Sequence, residues 1–556
     1  MTQSTSKLLL DAVYEWERTT PDRIYMTQPL GNGRVVDYTW ASAMNEARRM
    51  AAYLRGLDLA PSSHIAMISK NCAHFIIADL AIWMAGHVSI ALYPTLNADT
   101  VKQILDHSDS ELVIIGKLDD WDSLREGVPD DMPGIALPLA PATNYPTWED
   151  IIEAHEPISD SPSPAGDQLA LMCYTSGSTG TPKGVMHSFE STAAPTQLVV
   201  NDLNITSEDR ILSYLPLAHV FERATVECGS FFAGNRIYFA ETLETFVQDL
   251  HRARPTLFIS VPRLWLKFQL GVFQKMPEGK LARLLKLPLI GRIMRRKILD
   301  GLGLAHVRLA GSGSAPIPEE LILWYESLGL QLLEGYGMSE DFAYSHMSTP
   351  DQRRAGYVGV PGKNVETRIT EEGEIQIKSP GNMLGYYKAP DITSEAYTDD
   401  GFFRTGDRGE YSADGLLKIT GRLKELFKTS KGKYVSPAPI ENLLNSDSSI
   451  ELSCVSGAGR PACYGIVQIA EELRGSLASP HERDALSTRL EALLDTVNGE
   501  VEEYERMQFL AVAAETWETE NGFLTPTLKI KRNAVEAAYE PELDAWYASG
   551  DRVVWQ

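Results

Sequence analysis

A segment rich in glycine, hydroxyl side chains and lysine lies at residues 174–184. Its sequence is Tyr174-Thr175-Ser176-Gly177-Ser178-Thr179-Gly180-Thr181-Pro182-Lys183-Gly184. The glycines allow successive backbone N–H groups to face one anion, while the hydroxyl groups add donors and Lys183 adds a positive charge. Pro182 and Gly184 exclude a Walker A loop, and Ser176 stands where a nucleophile elbow needs its first glycine. The segment therefore predicts a cradle for a polyphosphate.

Four shorter motifs follow this loop along the chain. Asp407, taken alone, would be interpreted as a turn residue, but Arg422 comes fifteen residues after it within the next motif. The motifs are Glu334-Gly335-Tyr336-Gly337-Met338-Ser339-Glu340, Thr405-Gly406-Asp407, Gly421-Arg422-Leu423-Lys424 and Thr525-Pro526-Thr527-Leu528-Lys529-Ile530-Lys531-Arg532. In this order and spacing, the five motifs closely resemble the adenylate-forming superfamily of acyl-CoA synthetases, luciferases and nonribosomal adenylation domains. The resemblance extends over about residues 35–535.

The resemblance implies an enzyme that activates a carboxylate with ATP to an acyl adenylate and pyrophosphate, then passes the acyl group to a thiol. Coenzyme A, which brings its own thiol, is the implied acceptor. Asp407 is implied to accept the ribose hydroxyls with Arg422 near the same sugar, and Tyr336 is implied to lie against the adenine. Glu340 and Thr175 are implied to hold Mg²⁺, which neutralises charge that develops on the phosphates. The implied nucleotide contacts are Thr175, Ser176, Gly177, Ser178, Thr179, Gly180, Lys183, Gly313, Glu334, Gly335, Tyr336, Gly337, Met338, Ser339, Asp407 and Arg422.

Lys529 is the implied catalytic lysine of adenylation. The attacking carboxylate and the α-phosphate repel each other, so a cation must bridge them in the transition state. The superfamily commonly presents this lysine after Ser-Gly, whereas Thr527-Leu528 precede it here. That departure resembles the form of the motif in long-chain acyl-CoA synthetases. Lys531 and Arg532 are interpreted as solvated neighbours.

The resemblance also implies that a small C-terminal domain turns between two orientations. The implied hinge is Lys424, two residues after the arginine of its motif. One orientation brings the catalytic lysine into the site, and the other opens a pantetheine tunnel beside Lys431-Gly432. Such a closure is physically reasonable because only a short linker joins the two parts.

Three stretches resemble the long-chain fatty acyl-CoA synthetase branch, including its bubblegum-like members. His219 is implied to sit near the acyl carboxylate, with a satisfied core histidine as the alternative interpretation. Glu222 and Arg223 are interpreted as a structural ion pair. Gly313 belongs to a segment of small residues that lets a strand approach a ligand closely. The stretches are Leu215-Pro216-Leu217-Ala218-His219-Val220-Phe221-Glu222-Arg223, Val261-Pro262-Arg263-Leu264-Trp265 and Gly311-Ser312-Gly313-Ser314-Ala315-Pro316.

The sequence therefore predicts a long-chain fatty acid–CoA ligase that uses ATP, Mg²⁺ and coenzyme A. Three alternatives stay open: a fatty acyl-AMP ligase that loads a carrier protein, a CoA ligase for another carboxylic acid, and a catalytically silent acyl-nucleotide binder. Intact Lys529, Glu340 and Asp407 disfavour the silent binder, and the lack of an obvious insertion after Lys424 disfavours carrier loading. Chain-length preference and oligomeric state are not determined by the sequence.

Strands and helices of alternating type must position these motifs. Residues 64–92 predict a strand, a helix capped by Asn71 and a second, parallel strand. A further buried strand, 169–174, leads into the glycine-rich loop, and after Lys424 shorter elements begin, including a helix capped by Ser436. We predict an α/β fold, with a large N-terminal domain of stacked α/β subdomains (1–422) and a small mobile α+β domain (423–556).

Composition limits the partners and the compartment. The chain has 51 Lys+Arg against 75 Asp+Glu, a net charge of −24 that disfavours nucleic acid. Five scattered cysteines predict a reducing cytoplasm rather than a disulfide framework or zinc site, and no transmembrane segment is expected. Residues 280–297 contain interleaved basic and apolar residues without an acid. This pattern is typical of peripheral contact with the inner membrane surface, and a solvated surface hairpin is the alternative.

Overall fold

The computed structural model describes residues 7–176, 182–519, 521–525 and 529–556. Within these ranges, two large mixed sheets and a four-stranded sheet come before a C-terminal part that has its own sheet. The predicted α/β class, with a large N-terminal domain and a small α+β C-terminal domain, is confirmed. None of the helices in these ranges is both long enough and apolar enough to cross a membrane.

Helices cover the faces of the sheets. The α-helices are Leu9–Thr19, Trp40–Gly56, Ala73–Ala85, Ala98–Ser108, Trp121–Leu124, Trp148–Ala154, Phe189–Asp202, Val220–Glu222, Gly229–Ala233, Phe246–Ala253, Pro262–Lys275, Glu278–Leu285, Pro288–Gly301, Glu319–Ser327, Pro390–Ala396, Pro437–Leu444, Glu471–Arg474, Pro480–Glu500 and Arg532–Ser549. Shorter 3₁₀ turns are Arg125–Gly127, Ser339–Asp341, Leu423–Glu425, Gly475–Ala478 and Glu503–Glu505, and Arg223–Cys228 is a π-helix.

A seven-stranded sheet carries the glycine-rich loop. Its strands, in spatial order, are Gly385–Tyr386, Pro182–Ser188, Leu169–Ser176, Val88–Leu92, His64–Ile68, Ser110–Ile115 and Gly134–Ala136. The predicted parallel pairing of the strands at 64–68 and 88–92 is confirmed. The helix between them, Ala73–Ala85, is buried along nearly its whole length and ends at Gly86 in a left-handed conformation with φ 85°. A helix that is apolar on all faces is a central core element.

The prediction that Asn71 caps this helix is wrong. Cys72 is the N-cap residue, and Gln28 accepts a hydrogen bond from the Ala73 backbone N–H at 2.9 Å. The Asn71 amide instead donates to Ser213 Oγ at 2.8 Å, on a strand of the neighbouring sheet. A long-range partner therefore replaces the local one, and Asn71 ties the two large sheets together.

A nine-stranded sheet brings two of the motifs to one edge. Its order is Val360–Pro361, His346–Met347, Leu332–Tyr336, Leu309–Ser312, Leu257–Ser260, Arg210–Ser213, Arg236–Phe239, Ile24–Pro29 and Val35–Thr39. The strands 309–312 and 332–336 are parallel neighbours, so the segments that follow them meet at the same edge. Ligands bind at the carboxyl ends of such strands.

The third sheet and the C-terminal part hold the remaining motifs. The third sheet is antiparallel, in the order Glu366–Ile369, Glu374–Lys378, Phe403–Tyr411 and Leu417–Arg422. The C-terminal part contains the ribbon Phe427–Lys428 with Tyr434–Val435, and a sheet ordered Ile450–Ser456, Cys463–Ile469, Met507–Val512 and Val553–Trp555. Ser436 precedes its helix as predicted, but its hydroxyl donates to the Thr420 carbonyl at 2.8 Å and does not cap the helix.

Candidate active site

Tyr336, Asp407 and Arg422 contact one another where the nine-stranded sheet meets the four-stranded sheet. The Tyr336 hydroxyl donates to Asp407 Oδ2 at 2.8 Å, and Arg422 Nε lies 2.9 Å from Asp407 Oδ1. The pairing of Asp407 with Arg422 across neighbouring antiparallel strands explains the interval of fifteen residues between them. Burial raises the pKa of Asp407, while Arg422 and the Tyr336 hydroxyl act in the opposite direction. The carboxylate is therefore held ready to accept hydrogen bonds.

The two strands that flank the glycine-rich loop form an antiparallel hairpin. Thr175 and Lys183 are register partners in it, and the Lys183 ammonium lies 5.2 Å from the centre of the Tyr386 ring. Four of the predicted phosphate contacts, Gly177, Ser178, Thr179 and Gly180, lie outside the described residues, as does the side chain of Ser176. The hairpin brings a hydroxyl and a cation to the same end of the sheet.

Glu340 is held beside this hairpin by two residues that the sequence reasoning missed. The Tyr386 hydroxyl donates to Glu340 Oε1 at 2.8 Å. The buried His187 donates from Nε2 to the Ser339 carbonyl at 2.7 Å, and burial lowers its pKa to about 4, so the ring is neutral. Both residues belong to the same sheet as Lys183: His187 lies four residues further along its strand, and Tyr386 pairs with Val185 from the adjacent strand. An aromatic pair after Gly385 was the only local signal for Tyr386.

Glycines of the 334–340 motif and Gly313 mark close approaches of backbone. A Cβ atom on Gly313 would lie 3.1 Å from the Phe221 ring and 3.5 Å from the Gly335 carbonyl oxygen. A Cβ atom on Gly337 would lie 2.5 Å from the backbone of Ala343, which no side chain tolerates. The absence of side chains at these positions therefore lets neighbouring segments pack closely around Tyr336.

The flanking side chains of this motif have structural partners. Glu334 is buried and accepts from the Gly356 N–H at 3.1 Å, and burial raises its pKa to about 8. The Met338 N–H donates to Asp341 Oδ1 at 2.8 Å. The side chain of Glu334 thus stabilises the segment around Gly356. Only the backbone of Glu334 remains for its predicted contact with the nucleotide.

His219 lies half-buried at the start of a short helix. Its Nδ1 atom accepts from the Phe221 N–H at 3.1 Å, which leaves the proton on Nε2. Burial and the positive charge of Lys529 lower its pKa to about 3, so the ring is neutral. The sequence motif at 215–223 thus supplies a neutral N–H donor close to Lys529.

The predicted ion pair between Glu222 and Arg223 is wrong. Consecutive helical residues point in different directions. Arg223 instead forms a buried ion pair with Asp79 and lies 3.5 Å from Glu227, while Glu222 accepts from Ser213 Oγ at 2.8 Å. Burial raises the pKa of Glu222 to about 8.

Lys529, in the C-terminal part, lies within electrostatic range of Arg422, Asp407 and Glu340. Its backbone is fixed by reciprocal bonds with Thr525: Lys529 N–H donates to Oγ1 at 3.0 Å, and Thr525 N–H donates to the Lys529 carbonyl at 2.8 Å. The residue is exposed to solvent, yet enough protein lies around its ammonium group to disfavour the charged form. Burial therefore lowers its pKa, the guanidinium of Arg422 lowers it further, and the carboxylates of Asp407 and Glu340 oppose both effects. Predicted site residues from both parts of the chain thus share one electrostatic environment.

Contacts between the two parts and within the C-terminal part hold this arrangement. Arg263 Nη2, at the start of helix Pro262–Lys275, lies 2.5 Å from Glu451 Oε1 in the C-terminal part. The prediction that Arg532 is solvated is wrong, because its guanidinium donates to both carboxylate oxygens of Glu441, at 2.8 and 3.0 Å. Lys531 is exposed as predicted. The tertiary structure therefore uses one of these neighbouring cations as an anchor for Lys529.

Lys431 and Gly432 are exposed in the turn that connects the two strands of the ribbon, 427–428 and 434–435. Gly432 has φ 80°, which the tight turn requires. Its N–H donates to Thr429 at 2.9 Å. No hydrogen bond or ion pair between described residues connects this turn with Lys529 in the present orientation of the two parts.

Comparison with known proteins places the chain in a family. Residues 13–387 match the family model for AMP-binding enzymes, and residues 425–551 match the model for the AMP-binding enzyme C-terminal domain. Long-chain-fatty-acid–CoA ligase 1 of Homo sapiens is 27% identical, over 92% of this chain and 82% of the relative. Long-chain-fatty-acid–CoA ligase FadD15 of Mycobacterium bovis is 28% identical, over 96% of both chains.

Solved structures show the same fold. The A-PCP didomain of carboxylic acid reductase from Segniliparus rugosus, in complex with AMP, has a TM-score of 0.81 at 22% identity and covers 99% of this chain and 83% of that one. The anthranilate CoA ligase AuaEII, in complex with anthranoyl-AMP, has a TM-score of 0.78 at 18% identity, over 96% and 98%. Since one family model spans most of the chain and a second matches the part that carries Lys529, the protein belongs to the AMP-binding enzyme family.

Proposed function

We propose that this protein is a long-chain fatty acid–CoA ligase, which forms acyl-AMP and pyrophosphate from ATP and then transfers the acyl group to coenzyme A. The observation that carries this proposal is the position of Lys529 beside Asp407 and Arg422, with His219 within its electrostatic range. The named long-chain-fatty-acid–CoA ligases among its relatives support the choice of acid and of acceptor.

The nucleotide would lie between the two large sheets and the C-terminal part. Asp407 would accept the ribose hydroxyls in place of the Tyr336 hydroxyl, and Arg422 would hold that carboxylate in orientation. Gly335, where an added Cβ atom would meet only the His346 carbonyl oxygen at 4.0 Å, would leave room for an adenine ring against Tyr336. Lys183 would neutralise the phosphates that leave as pyrophosphate.

The residues near Glu340 suit Mg²⁺. Magnesium prefers one or two carboxylates together with substrate phosphates and water, rather than a cage built by protein alone. Consistent with this, the described part of the chain contains no group of three His, Cys, Asp or Glu side chains placed to hold a metal. The Glu340 carboxylate and the Thr175 hydroxyl would be the protein ligands. The ion would neutralise phosphate charge.

Adenylation requires an oxygen of the fatty acid carboxylate to attack the α-phosphorus. A new P–O bond forms, and the bond to the bridging oxygen of pyrophosphate breaks. Lys529 would bridge the two anions as charge builds up in the transition state, and the Nε2–H of neutral His219 would orient the carboxylate. Because the pKa of His219 is lowered to about 3, the ring donates a hydrogen bond without adding a competing charge.

Thioester formation would follow a rotation of residues 423–556 against 1–422 about Lys424. The thiol sulfur attacks the acyl carbon, a C–S bond forms, AMP leaves and the thiol proton is released. Lys424 lies in the short turn Leu423–Glu425 that joins the two parts. The exposed turn at Lys431-Gly432 would then reach the site beside the pantetheine chain. The present orientation corresponds to the adenylation step.

Pyrophosphate release tests the proposal. ATP-dependent release should be greatest with long-chain acids in a panel that begins with acetate, and AMP and acyl-CoA should form when coenzyme A is present. Acyl-AMP that accumulates without thioester would contradict the transfer to coenzyme A and favour carrier loading. Preference for short or aromatic acids would contradict the proposed substrate.

The Lys529→Ala variant tests the catalytic assignment. It should abolish adenylation yet largely spare thioester formation from supplied acyl-AMP, because the cation is needed only where two anions meet. Lys531→Ala, which removes an exposed lysine two residues away, is the matched control and should retain both steps. Equal loss of both steps in Lys529→Ala would contradict the assignment.

A further inference from the structure

Two consecutive helices, Glu278–Leu285 and Pro288–Gly301, form a hairpin on the surface of the N-terminal part. Leu281 and Leu285 of the first helix are buried in a hydrophobic cluster with Trp265 and Tyr325. Gly291 lets the second helix approach the first, since a Cβ atom there would lie 2.5 Å from the Leu285 carbonyl oxygen. The hairpin is therefore a firmly packed element.

The second helix has an apolar face that packs against no described residue of the core. Its inner face contains Gly291, Met294 and Ile298, which are buried or half-buried. At 100° per residue, Leu289 and Ile293 fall on the opposite side, and Ile290 lies between that side and the inner face. The exposed fractions of Leu289, Ile290 and Ile293 are 79%, 47% and 66%, and Leu287 in the connecting turn is 45% exposed. Clustered apolar exposure of this kind marks an interaction surface.

Basic side chains surround this apolar face. Between residues 280 and 297 there are seven Lys and Arg residues and no acid, in a chain whose net charge is −24. Arg295 is used structurally, because it donates to the carbonyls of Ser327 at 2.7 Å and Leu285 at 2.9 Å. The other six are exposed: Lys280, Arg283, Lys286, Arg292, Arg296 and Lys297.

We infer that this hairpin docks on an anionic lipid bilayer, with Leu289 and Ile293 inserted and the basic side chains among the headgroups. An amphipathic helix with Lys and Arg beside exposed aliphatic residues binds such an interface by apolar burial and by attraction to anionic lipid. A second copy of this chain would bring two basic clusters together, so charge complementarity disfavours self-association. Nucleic acid would leave the aliphatic face uncovered.

The location of the hairpin relative to the candidate active site suggests what docking on a bilayer would achieve. Helix Pro262–Lys275 begins at a contact with the C-terminal part, where Arg263 lies against Glu451, and leads directly to the hairpin. Its 14 residues span about 20 Å at 1.5 Å per residue. A bilayer on the hairpin would thus supply fatty acid near the site. The inference that the hairpin docks on a bilayer is based only on the surface of the hairpin, and it does not depend on the proposed substrate.

Sedimentation with vesicles, without ATP or fatty acid, tests the inference. The full-length protein should sediment with vesicles of phosphatidylcholine and phosphatidylglycerol, and much less with phosphatidylcholine alone. The triple variant Arg292→Gln, Arg296→Gln and Lys297→Gln should lower the partition coefficient roughly 100-fold, at about fivefold for each charge near the surface. Leu289→Ser with Ile293→Ser should weaken binding while it leaves the charge unchanged.

A matched control removes three exposed cations elsewhere. Arg34→Gln, Lys102→Gln and Lys363→Gln give the same net charge and should bind vesicles like the unchanged protein. Because all the substituted side chains are exposed, the hairpin variants and the control should keep the melting temperature of the unchanged protein. In a separate measurement, the tryptophan of Leu289→Trp should shift its fluorescence to the blue when anionic vesicles are added. Equal binding by the hairpin variant and the control would overturn the inference, as would a dimer that the serine variants dissociate without any vesicle binding.

Discussion

The contact between Arg263 and Glu451 should control which half-reaction the enzyme favours. It joins the N-terminal part to the C-terminal part while Lys529 is within electrostatic range of Asp407. A rotation of the C-terminal part about Lys424 must break it, so the pair stabilises only the adenylation orientation. Arg263→Gln removes the ion pair and keeps a polar side chain. It should slow adenylation and leave thioester formation from supplied acyl-AMP unchanged or faster.

The structure limits the size of this effect. The two side chains are 37% and 25% exposed, a range in which an ion pair contributes about 0.2–1 kcal/mol. Glu451 also accepts from Arg474 and, at 3.1 Å, from Gln468, so it keeps partners when Arg263 is replaced. A loss of ~1 kcal/mol changes the ratio of two orientations about fivefold. Arg263→Gln should therefore slow adenylation by at most about fivefold.

Single-turnover measurements of the two half-reactions are the appropriate assay. Arg353→Gln is the matched control, because it removes an ion pair of similar exposure, with Glu326, that lies wholly within the N-terminal part. The double variant with Glu451→Gln should slow adenylation little more than Arg263→Gln alone, because both substitutions remove the same ion pair. High salt should reduce the difference in adenylation rate between Arg263→Gln and the unchanged protein. An equal loss in both half-reactions, or full additivity of the two substitutions, would refute the reasoning.

Three further predictions concern buried or half-buried polar contacts. Arg223→Met should lower the free energy of unfolding, measured by urea denaturation, by about 3–5 kcal/mol. The reason is that it leaves the Asp79 carboxylate buried without its cationic partner. A loss below ~1 kcal/mol would contradict this prediction. Tyr386→Phe removes the hydroxyl that is hydrogen-bonded to Glu340. Because a hydrogen bond to a charged group contributes ~1.5 kcal/mol, this variant should need roughly ten times more Mg²⁺ for pyrophosphate release. An unchanged Mg²⁺ titration would exclude a role of Tyr386 in orienting Glu340. Burial raises the pKa of Glu222 from 4.5 to about 8, so its contribution to stability is fully present below pH 4.5 and is lost as the pH rises towards 8. Glu222→Gln should remove that part of the pH dependence in unfolding experiments, and an identical slope in both proteins would refute the assignment.

Local sequence patterns predicted much of the scaffold. The strand–helix–strand unit at 64–92 and the strand that enters the glycine-rich loop follow from runs of apolar residues and from Gly86 at the helix end. These features depend on neighbours within a few residues, so a single sequence is enough to predict them. The motifs, through their resemblance to a known family, also indicated the family that the comparisons established.

Partners that come from distant parts of the chain were not predictable in this way. Arg223 lies 144 residues from Asp79, and the adjacent Glu222 points elsewhere, because consecutive helical side chains diverge. Tyr386 reaches Glu340 only because its short strand pairs with the hairpin that carries Lys183. Such contacts depend on sheet order, which apolar periodicity does not encode.

The sequence by itself determined the chemistry available to this protein: a lysine, a carboxylate and a glycine-rich loop in motifs of recognisable order. Only the tertiary structure decided that Lys529 faces Asp407 in the present orientation, and that Arg532 anchors its segment through Glu441. It also decided that the basic hairpin buries one apolar face and exposes another. The physical reason is that residue type sets charge and hydrogen-bonding capacity, whereas packing sets which groups share a low-dielectric environment and which remain in contact with solvent.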